Sequence, residues 1–581
     1  MVMDFANVKQ LDPRVTYSRA STATYYDGRT TAKAEENLVL YSQSFNSASW
    51  TRADTTIDEL SAIAPDGTTT ANTATTSLGS SNLRTVSVAV QPSTTYTFSF
   101  FALRGTMTDL KYSIYNNTAA SDIVAPTSYY ASTNASTWSR VSVTFTTPAG
   151  CTSVFCFLLR DSVSTGTVFL WGAQLEQRSS VTAYTVTTAQ PITNYIPVLQ
   201  TALDNVARFD HNPVTGESLG LFVEEQRSNL LTYSDDFSNA SWTKVNSSIT
   251  ANILVAPDGT LTGDLFIPNT GVTTATVDSA TVLQAKNGTY TASVYMKFAG
   301  FVFASIRVSA FSGNVINAFI NLTTGETAIR NDGAASGATA SAQSVGNGWW
   351  RVSVSGIPKV GDATTGVSLV VSPASGLSSA TFPAADGYSG IYIWGAQLEA
   401  GAFATSYIPT VASQVTRSAD AASMTGANFS SWYNTAEGTL YAEASLPAFS
   451  STATIAQATQ AAISDGTGNN LIRVRGFSLN GTSSWDSVIR ANGTTYFDSA
   501  ETVYSTVNFV VKNAVGYKVN DAANSVNAGS AASGTPSILP VVDQMRIGST
   551  VAGADISVQC IRRIAYYPRR LTNAQLQAIT G

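Results

Sequence analysis

The sequence predicts an all-β protein made of tandem β-sandwich domains, and three observations support this fold class. Charged residues are only 12% of the 581 residues, while hydrophobic residues reach 44%. Thr, Ser, Ala, Gly and Asn fill the difference, and they suit strands and turns better than helix surfaces. One long phrase occurs twice, and short alternating apolar segments are separated by turn residues. At this length we expect three to four domains.

An internal duplication is the strongest feature of the sequence. The segments 37–51 and 229–243 share most of their residues at a constant offset, 229 − 37 = 192. The same offset relates the turns Ala64–Thr68 and Ala256–Thr260, in which Pro is followed by Asp-Gly. Such a match over two separate phrases indicates a duplicated domain.

The copies differ in length towards their ends. Each closes on Trp-Gly-Ala-Gln-Leu-Glu, beginning at Trp171 and Trp394, where the offset is 394 − 171 = 223. About 31 residues (223 − 192) are therefore added in the second copy, and we expect them in surface loops. A strand phrase at Trp138 matches one at Trp350, with one residue fewer before the following Val.

The remaining segments complete the predicted organisation. The first 36 residues lack periodicity and are expected to form an extended arm that docks on a partner, whose contacts offset the ordering entropy. A linker with a strand–turn–strand around Asn212–Gly216 should join the copies. The C-terminal part should be a third sandwich, with strands at 438–444, 471–475, 507–511 and 559–567 and one helix that starts at N-cap Thr572. The predicted domains are 1–36, 37–186, 187–228, 229–412 and 413–581.

Several of these phrases resemble a known family. The opening phrase, the Ala-Pro-Asp-Gly-Thr turn, the Trp-x-Arg-Val-Ser strand and the closing phrase resemble the carbohydrate-binding-module-like jelly-roll domains of phage fibres, in particular head spike fibre and tail fibre proteins. Ser406–Thr410, Tyr17–Asp27 and Arg208–Leu231 strengthen the resemblance, which covers most of residues 15–412. The third unit, with its closing Tyr-Tyr-Pro-Arg-Arg-Leu-Thr, is similar to the concanavalin-A-like (LamG-like) lectin sandwiches at the ends of many phage fibres.

Charge and hydropathy disfavour two other classes of protein. A net charge of −6 without a Lys/Arg run argues against nucleic-acid binding. No apolar stretch approaches the ~20 residues of a membrane helix, and the first residues lack the basic and apolar regions of a signal peptide. Cys151 and Cys156 are expected to be buried free thiols; a disulfide between them would need a bend in the strand.

The chain contains a literal Gly-x-Ser-x-Gly motif with Ser218 at its centre. The single histidine, His211, precedes the motif, and Leu221–Val223 continues as a strand where a nucleophile elbow needs a helix. We therefore interpret the motif as a turn. One His and three Cys also cannot build a usual zinc site or a second Ser-His-Asp triad.

Carboxylates offer two further candidate chemistries. Adjacent pairs such as Glu35-Glu36, Glu224-Glu225 and Asp235-Asp236 point to opposite faces of a strand, so we expect solvated charges and not a glycosidase pair. A structural calcium ion could be bound by Asp66 and Asp258 together with loop carbonyls, although a plain turn is the preferred interpretation. No other cofactor is expected.

Tryptophan rings are candidate platforms for sugars. The matched pairs Trp50/Trp242 and Trp171/Trp394 are expected to pack in the core. Trp432 and Trp485 have no counterpart in the other copy, and Trp485 lies in the loop-like run Gly481–Asp486. We therefore predict carbohydrate binding by Trp485 and Trp432.

The leading functional hypothesis is a non-enzymatic virion fibre or spike subunit of a tailed phage, made in the host cytoplasm. The resemblance implies attachment to capsid or tail proteins through the N-terminal arm, binding to host-surface glycans and a homotrimeric assembly on the head or tail. The alternative is a tail-spike depolymerase that cleaves host polysaccharide, which would need a β-helix or a carboxylate cleft. A secreted bacterial carbohydrate-binding protein is a third hypothesis.

Overall fold

A computed structural model shows three β-sandwiches that are linked by short strand pairs, which confirms the predicted all-β class of tandem sandwiches. The structure describes residues 1–77, 80–285, 288–310, 315–333, 335–358, 364–445, 456–479, 482–499, 502–504, 510–550 and 558–581. Residues 507–509 of one predicted strand lie outside these ranges. The strand pairs that build the sheets are antiparallel.

The elements follow the chain in five groups. The N-terminal segment has β1 (Val2–Asp4), α1 (Phe5–Val8), β2 (Thr16–Ser18) and β3 (Ala23–Asn37). The first copy has β4 (Trp50–Ala53), β5 (Thr55–Ala62), β6 (Ala71–Thr76), β7 (Ser81–Thr85), β8 (Val88–Ala89), β9 (Thr95–Arg104), β10 (Lys111–Asn116), β11 (Ser121–Ser128), a 3-10 turn (Tyr130–Ser132), β12 (Ser139–Thr146), β13 (Ser153–Ser162) and β14 (Gly166–Glu176). The connector has β15 (Ile192–Ala202), β16 (Arg208–His211), β17 (Ser218–Val223) and β18 (Arg227–Asn229).

The second copy and the third domain contain the remaining elements. The second copy has β19 (Trp242–Val245), β20 (Ser247–Leu254), β21 (Gly263–Pro268), β22 (Thr276–Ser279), β23 (Val282–Ala285), β24 (Tyr290–Ala299), β25 (Phe303–Ala310), β26 (Val315–Asn321), β27 (Thr327–Asp332), β28 (Ser336–Gly346), β29 (Trp349–Ile357), β30 (Thr364–Ala374) and β31 (Gly390–Ala400). The third domain has β32 (Val415–Arg417), β33 (Ala421–Thr425), α2 (Ala427–Ser430), β34 (Glu437–Ser445), β35 (Ala456–Ser464), β36 (Leu471–Leu479), β37 (Thr482–Ala491), β38 (Thr494–Asp498), β39 (Thr502–Tyr504), β40 (Val510–Lys518), β41 (Asp521–Val526), β42 (Ala532–Gly534), β43 (Gln544–Ile547), β44 (Gln559–Tyr567) and α3 (Asn573–Thr580).

Each copy is a sandwich of two sheets. In the first copy, sheet I has the order β11-β10-β13-β7-β4 and sheet II the order β12-β9-β14-β6-β5. In the second copy, sheet III (β19-β22-β30-β25-β26-β27) and sheet IV (β20-β21-β31-β24-β29-β28) repeat this arrangement with one more strand each. The expectation that the added residues form only surface loops is therefore wrong, because part of them forms β27 and β28 and extends both sheets.

Strand register also corrects the alignment of the copies. Arg140 faces Phe101 across β12 and β9, and Arg351 faces Tyr295 across β29 and β24. Counting back from these equivalent arginines, the counterpart of Trp138 is Trp349, and no deletion is needed. The sequence match to Trp350 was wrong because a double tryptophan offers two alignments.

The third domain takes strands from distant parts of the chain. Its sheet V has the order β16-β17-β44-β34-β40-β41-β42, with β1 also paired to β44, and its sheet VI begins β2-β33-β43. Met3, Phe5, Leu221 and Val223 are buried in its core. The predicted boundary at 413 is therefore too late for this domain, since residues before 224 complete both of its sheets.

The first 36 residues are paired within the chain. Strands β1 and β2 join the third domain, and β3 pairs with β15 to form a two-stranded ribbon against the second copy. The prediction of an extended arm docked on a partner is wrong, because the backbone groups of this segment find hydrogen-bonding partners on open strands of the same molecule. The helix prediction at Thr572 is confirmed: its side chain and that of Gln575 form a capping box.

A buried ionic network joins these segments. Arg208 donates to Glu224 at 2.8 Å and to Asp420 at 2.6 Å, and Arg19 reaches Asp420 at 3.1 Å. Arg417 lies 3.5 Å from Glu224, and the side chains in these pairs are at most 1% exposed. The expectation that Glu224 is a solvated charge is therefore wrong. Burial alone would raise the pKa of Glu224, but Arg417 and Arg208 lower it to about 2.

We expect an isolated fragment 413–581 not to fold, because it lacks β1, β2, β16 and β17. It loses four buried apolar side chains, each worth ~1.5–3 kcal/mol, which together match the whole stability of a typical domain. Calorimetry and circular dichroism should show no cooperative thermal transition. The fragment 37–190 is the control, because its two sheets are built from its own strands; a cooperative transition of 413–581 would contradict the prediction.

One buried position carries an amide in the first copy and a carboxylate in the second. Asp264 in the second copy stands where the first copy has Asn72, and both are at most 1% exposed. Burial raises the pKa of Asp264 to about 6, although backbone N–H groups of Asn252 and Phe237 oppose the rise. Its folded-state pKa exceeds the ordinary 3.8, so the stability it contributes is present below pH 3.8 and is lost as the pH rises through 6.

Replacing Asp264 by Asn should therefore raise the stability of the second copy at pH 8 by about 1–2 kcal/mol, because no buried charge remains. The difference from the unmodified chain should vanish near pH 4. Calorimetric transitions at the two pH values measure this effect. The reciprocal change, Asn72→Asp, should destabilise the first copy at pH 8. If each variant is as stable as the unmodified chain at both pH values, a raised pKa at this position is excluded.

Candidate functional site

Trp485 is not available to a ligand. It lies within strand β37, paired with Gly476 of β36 and Thr502 of β39, and its ring is 2% exposed. The prediction of an exposed platform in a loop is wrong, because the Gly/Ser-rich run leads into a central strand; Gly481 itself lies outside the described residues.

Trp432 is half-buried at the end of α2. Its ring contacts the rings of Phe429 at 5.0 Å and Tyr566 at 4.9 Å, and its Nε1 donates to the carbonyl of Asn428 at 2.8 Å. These contacts fix the ring in one orientation and leave part of it open to solvent. Carbohydrate binding by Trp432 stays a prediction.

Asp66 and Asp258 each cap a tight turn. Asp66 accepts from the backbone and hydroxyl of Thr68, and Asp258 does the same for Thr260. Within the described ranges, no group of three or more His, Cys, Asp or Glu side chains could hold a metal ion. The observed role of Asp66 and Asp258 is to accept hydrogen bonds within these turns. Calcium binding by either residue stays a prediction.

Ser218 lies opposite His211 in the hairpin of β16 and β17. The Nδ1 atom of His211 is 2.9 Å from the carbonyl of Phe209 and 3.1 Å from that of Tyr26, so it carries the proton. Burial lowers the pKa of His211. A strand and not a helix follows Ser218, and that strand pairs with β44, so the motif lacks the exposed turn of a nucleophile elbow.

The prediction that the matched tryptophans pack in the core is confirmed. Those with at most 3% exposure include Trp50, Trp171, Trp242 and Trp394. The indole of Trp171 donates to Thr70 at 2.9 Å, and the equivalent indole of the second copy donates to Thr262 at 3.0 Å. The two copies share the closing phrase because its tryptophans pack in the same way in both.

A different aromatic group lies on the solvent side of sheet I. Alternate residues of β10 and β13, such as Ile114 and Cys156, point into the core of the first copy. Tyr115, Phe155 and Phe157 therefore point outward. Tyr115 and Phe155 face each other across the two strands, with rings parallel to within 10° and centroids 6.2 Å apart.

Two arginines cover this aromatic surface. The guanidinium of Arg84 lies 3.7 Å from the ring centre of Phe155, and that of Arg160 lies 4.4 Å from Phe157 and 5.5 Å from Tyr115. Phe157 is 3% exposed under them, whereas Tyr115 and Phe155 stay partly exposed. We call these five residues the Tyr115 strip. Partly exposed aromatic rings can pack on an apolar ligand face, and the guanidinium groups beside them can donate hydrogen bonds to its edge.

The second copy lacks this strip at the equivalent positions. Tyr115 pairs with Phe155 in the first copy, and Ser309 pairs with Ser368 in the second. Each pair lies two residues along its strands from a strand pair that is equivalent in the two copies, so Tyr115 corresponds to Ser309 and Phe155 to Ser368. An alignment of the two sequence copies could have revealed the strip, because aromatic residues of the first copy align there with serines of the second. Sequence reasoning missed it because Tyr115 and Phe155 are 40 residues apart (155 − 115).

The site thus belongs to a multidomain β-sandwich protein and lies on a partly exposed, aromatic and cationic sheet face. No helix within the described ranges is long and apolar enough to cross a membrane. No protein-family model matches the chain, and no curated protein matches it.

Solved structures with partial similarity include several carbohydrate-related proteins. A CBM40 module of a Ruminococcus gnavus sialidase, bound to α2,3-sialyllactose, is 19% identical and covers 26% of this chain and 84% of its own, with a TM-score of 0.20. The CBM22 tandem domain from Paenibacillus barcinonensis is 11% identical, covers 63% and 98%, and has a TM-score of 0.20. A Trypanosoma rangeli sialidase is 9% identical, covers 96% and 98%, and has a TM-score of 0.21.

These comparisons correct one expectation. The prediction that the chain is not an enzyme is contradicted, because the similar structures include sialidases and a glycoside hydrolase of family 32 from Bifidobacterium adolescentis. Similarities at this level assign neither a substrate nor a catalytic residue to this chain.

Proposed function

We propose that this protein binds carbohydrates through the Tyr115 strip, as a fibre or spike subunit of a tailed-phage virion that contacts host-surface glycans. The strip is the observation that carries the binding proposal. Its two parallel, partly exposed rings offer apolar surface of the kind that the C–H face of a sugar ring packs against. Guanidinium groups at its edge supply donors for hydroxyl oxygens.

The virion setting rests on the resemblance of the repeated phrases to phage fibre domains. It includes attachment to capsid or tail proteins and assembly as a homotrimer. The attaching surface in this proposal is a folded one, since the N-terminal strands are paired inside the molecule. Three copies of the strip on one particle would raise the avidity of individually weak sugar contacts.

Binding should weaken at least tenfold, about 1.4 kcal/mol, when Tyr115 and Phe155 are both replaced by Ser. The second copy has Ser309 and Ser368 at these positions, so the fold accommodates serine there. Glycan arrays and titrations with host-surface polysaccharide measure the effect. Tyr195→Ser is the control, because Tyr195 is an exposed tyrosine (57%) on the ribbon, away from sheet I.

Three results would decide the binding proposal. Loss of binding in the double variant alone, with an unchanged thermal transition, supports it. Equal loss in Tyr195→Ser, or binding that survives the double variant, would place the site elsewhere. Reducing ends released from the polysaccharide would assign a depolymerase activity.

The virion proposal has a separate test. Electron microscopy of phage particles labelled with an antibody against this chain should place the label on projections from the head or tail. Label absent from intact particles, in a preparation where the antibody detects the denatured chain, would contradict the virion assignment.

A further inference from the structure

The charge on the Tyr115 strip is unbalanced. Arg84 donates to the carbonyl of Thr85 at 3.0 Å, and none of the described carboxylates lies within ion-pair distance of it. Its neighbour Arg160 lies 3.2 Å from Asp161 and 4.0 Å from Asp122. A guanidinium has five N–H donors, so Arg84 keeps donors available to a ligand.

The two guanidinium groups also repel each other. Burial and the nearby charge of Arg160 both lower the pKa of Arg84. The guanidinium carbon of Arg84 lies 3.7 Å from the ring centre of Phe155, and a guanidinium that packs on an aromatic face keeps its N–H donors for other partners. An anion at this edge would gain charge-assisted hydrogen bonds and relieve the repulsion between the two arginines.

The second copy solves the same electrostatic problem within the protein. At the position of Arg84 it has Asp278, which pairs with Val370 as Arg84 pairs with Phe157. The arginine of that face, Arg307, lies on the other side of Val370 and is attracted by Asp278. Sheet III thus places an acidic side chain near Arg307, whereas none of the described carboxylates lies within ion-pair distance of Arg84 on sheet I.

We propose that the Tyr115 strip binds acidic saccharides, in which Arg84 holds the carboxylate of a uronic or sialic acid residue while the sugar ring packs on Tyr115. This inference rests on the proposed carbohydrate-binding function and specifies its ligand class. The planar fork of a guanidinium matches a carboxylate with two parallel hydrogen bonds, and a hydroxymethyl group cannot replace that pairing.

The experiment compares each acidic glycan with its carboxyl-reduced form, which has the same sugar ring and no charge. The probes are fragments of polygalacturonate, alginate, hyaluronan and polysialic acid. They are titrated against the 581-residue chain at 0.15 M salt, a condition in which long-range attraction is screened. We expect at least tenfold tighter binding of one or more acidic forms than of the reduced form. Arg84→Gln should abolish this preference, so that the acidic and reduced forms bind the variant with affinities within twofold of each other.

Arg29→Gln is the matched control, since it removes one exposed positive charge from the ribbon. Arg84→Asp provides a second variant, because the second copy has Asp at this position of the same fold. Equal binding of acidic and reduced forms would overturn the acidic preference and leave the proposed function standing. An equal loss of preference in Arg29→Gln would also overturn it, because the attraction would then be non-specific. No binding of any glycan, neutral ones included, would overturn both proposals.

Discussion

Five buried charges hold the chain together at one point. Arg19, Arg208, Arg417, Glu224 and Asp420 come from the N-terminal segment, the connector and the entrance to the third domain. Burying charges away from water costs free energy, and the attraction between partners offsets that cost only while every partner is present. Removal of one partner from a buried pair therefore destabilises the fold by about 3–5 kcal/mol. The network therefore makes the assembly of these segments all-or-none. The third domain is consequently not independent of the segments that precede each repeat, although the order of the sequence repeats suggests that it is.

Comparison of the two copies distinguishes positions that both sandwiches share from positions that differ between them. Some buried positions repeat unchanged, as Trp171 and Trp394 show. The outward positions of sheets I and III do not repeat: where sheet I has the parallel rings of Tyr115 and Phe155, sheet III has Ser309 and Ser368.

Much of the fold could be predicted from the sequence because its signals are local. Alternation indicated the strands, the repeated phrase indicated the two sandwiches, and the Thr572 box indicated the last helix. Strand partners are non-local, so the sequence could not show that β1 and β17 flank β44. Exposure is non-local as well. Trp485 has loop-like neighbours in sequence but strands on both sides in space, and the Tyr115 strip exists only once distant strands pair.

The pairing of β1 with β44 has a consequence for synthesis. Val2 bonds across to Ala565, so the first strand must wait for almost the whole chain to leave the ribosome. At ~5–20 residues per second, that wait is roughly half a minute to two minutes. The two repeats can fold during this time, while the third domain is completed only once β44 has emerged. A chain that stops before β44 thus leaves β1 and β17 without the strand that separates them in the sheet.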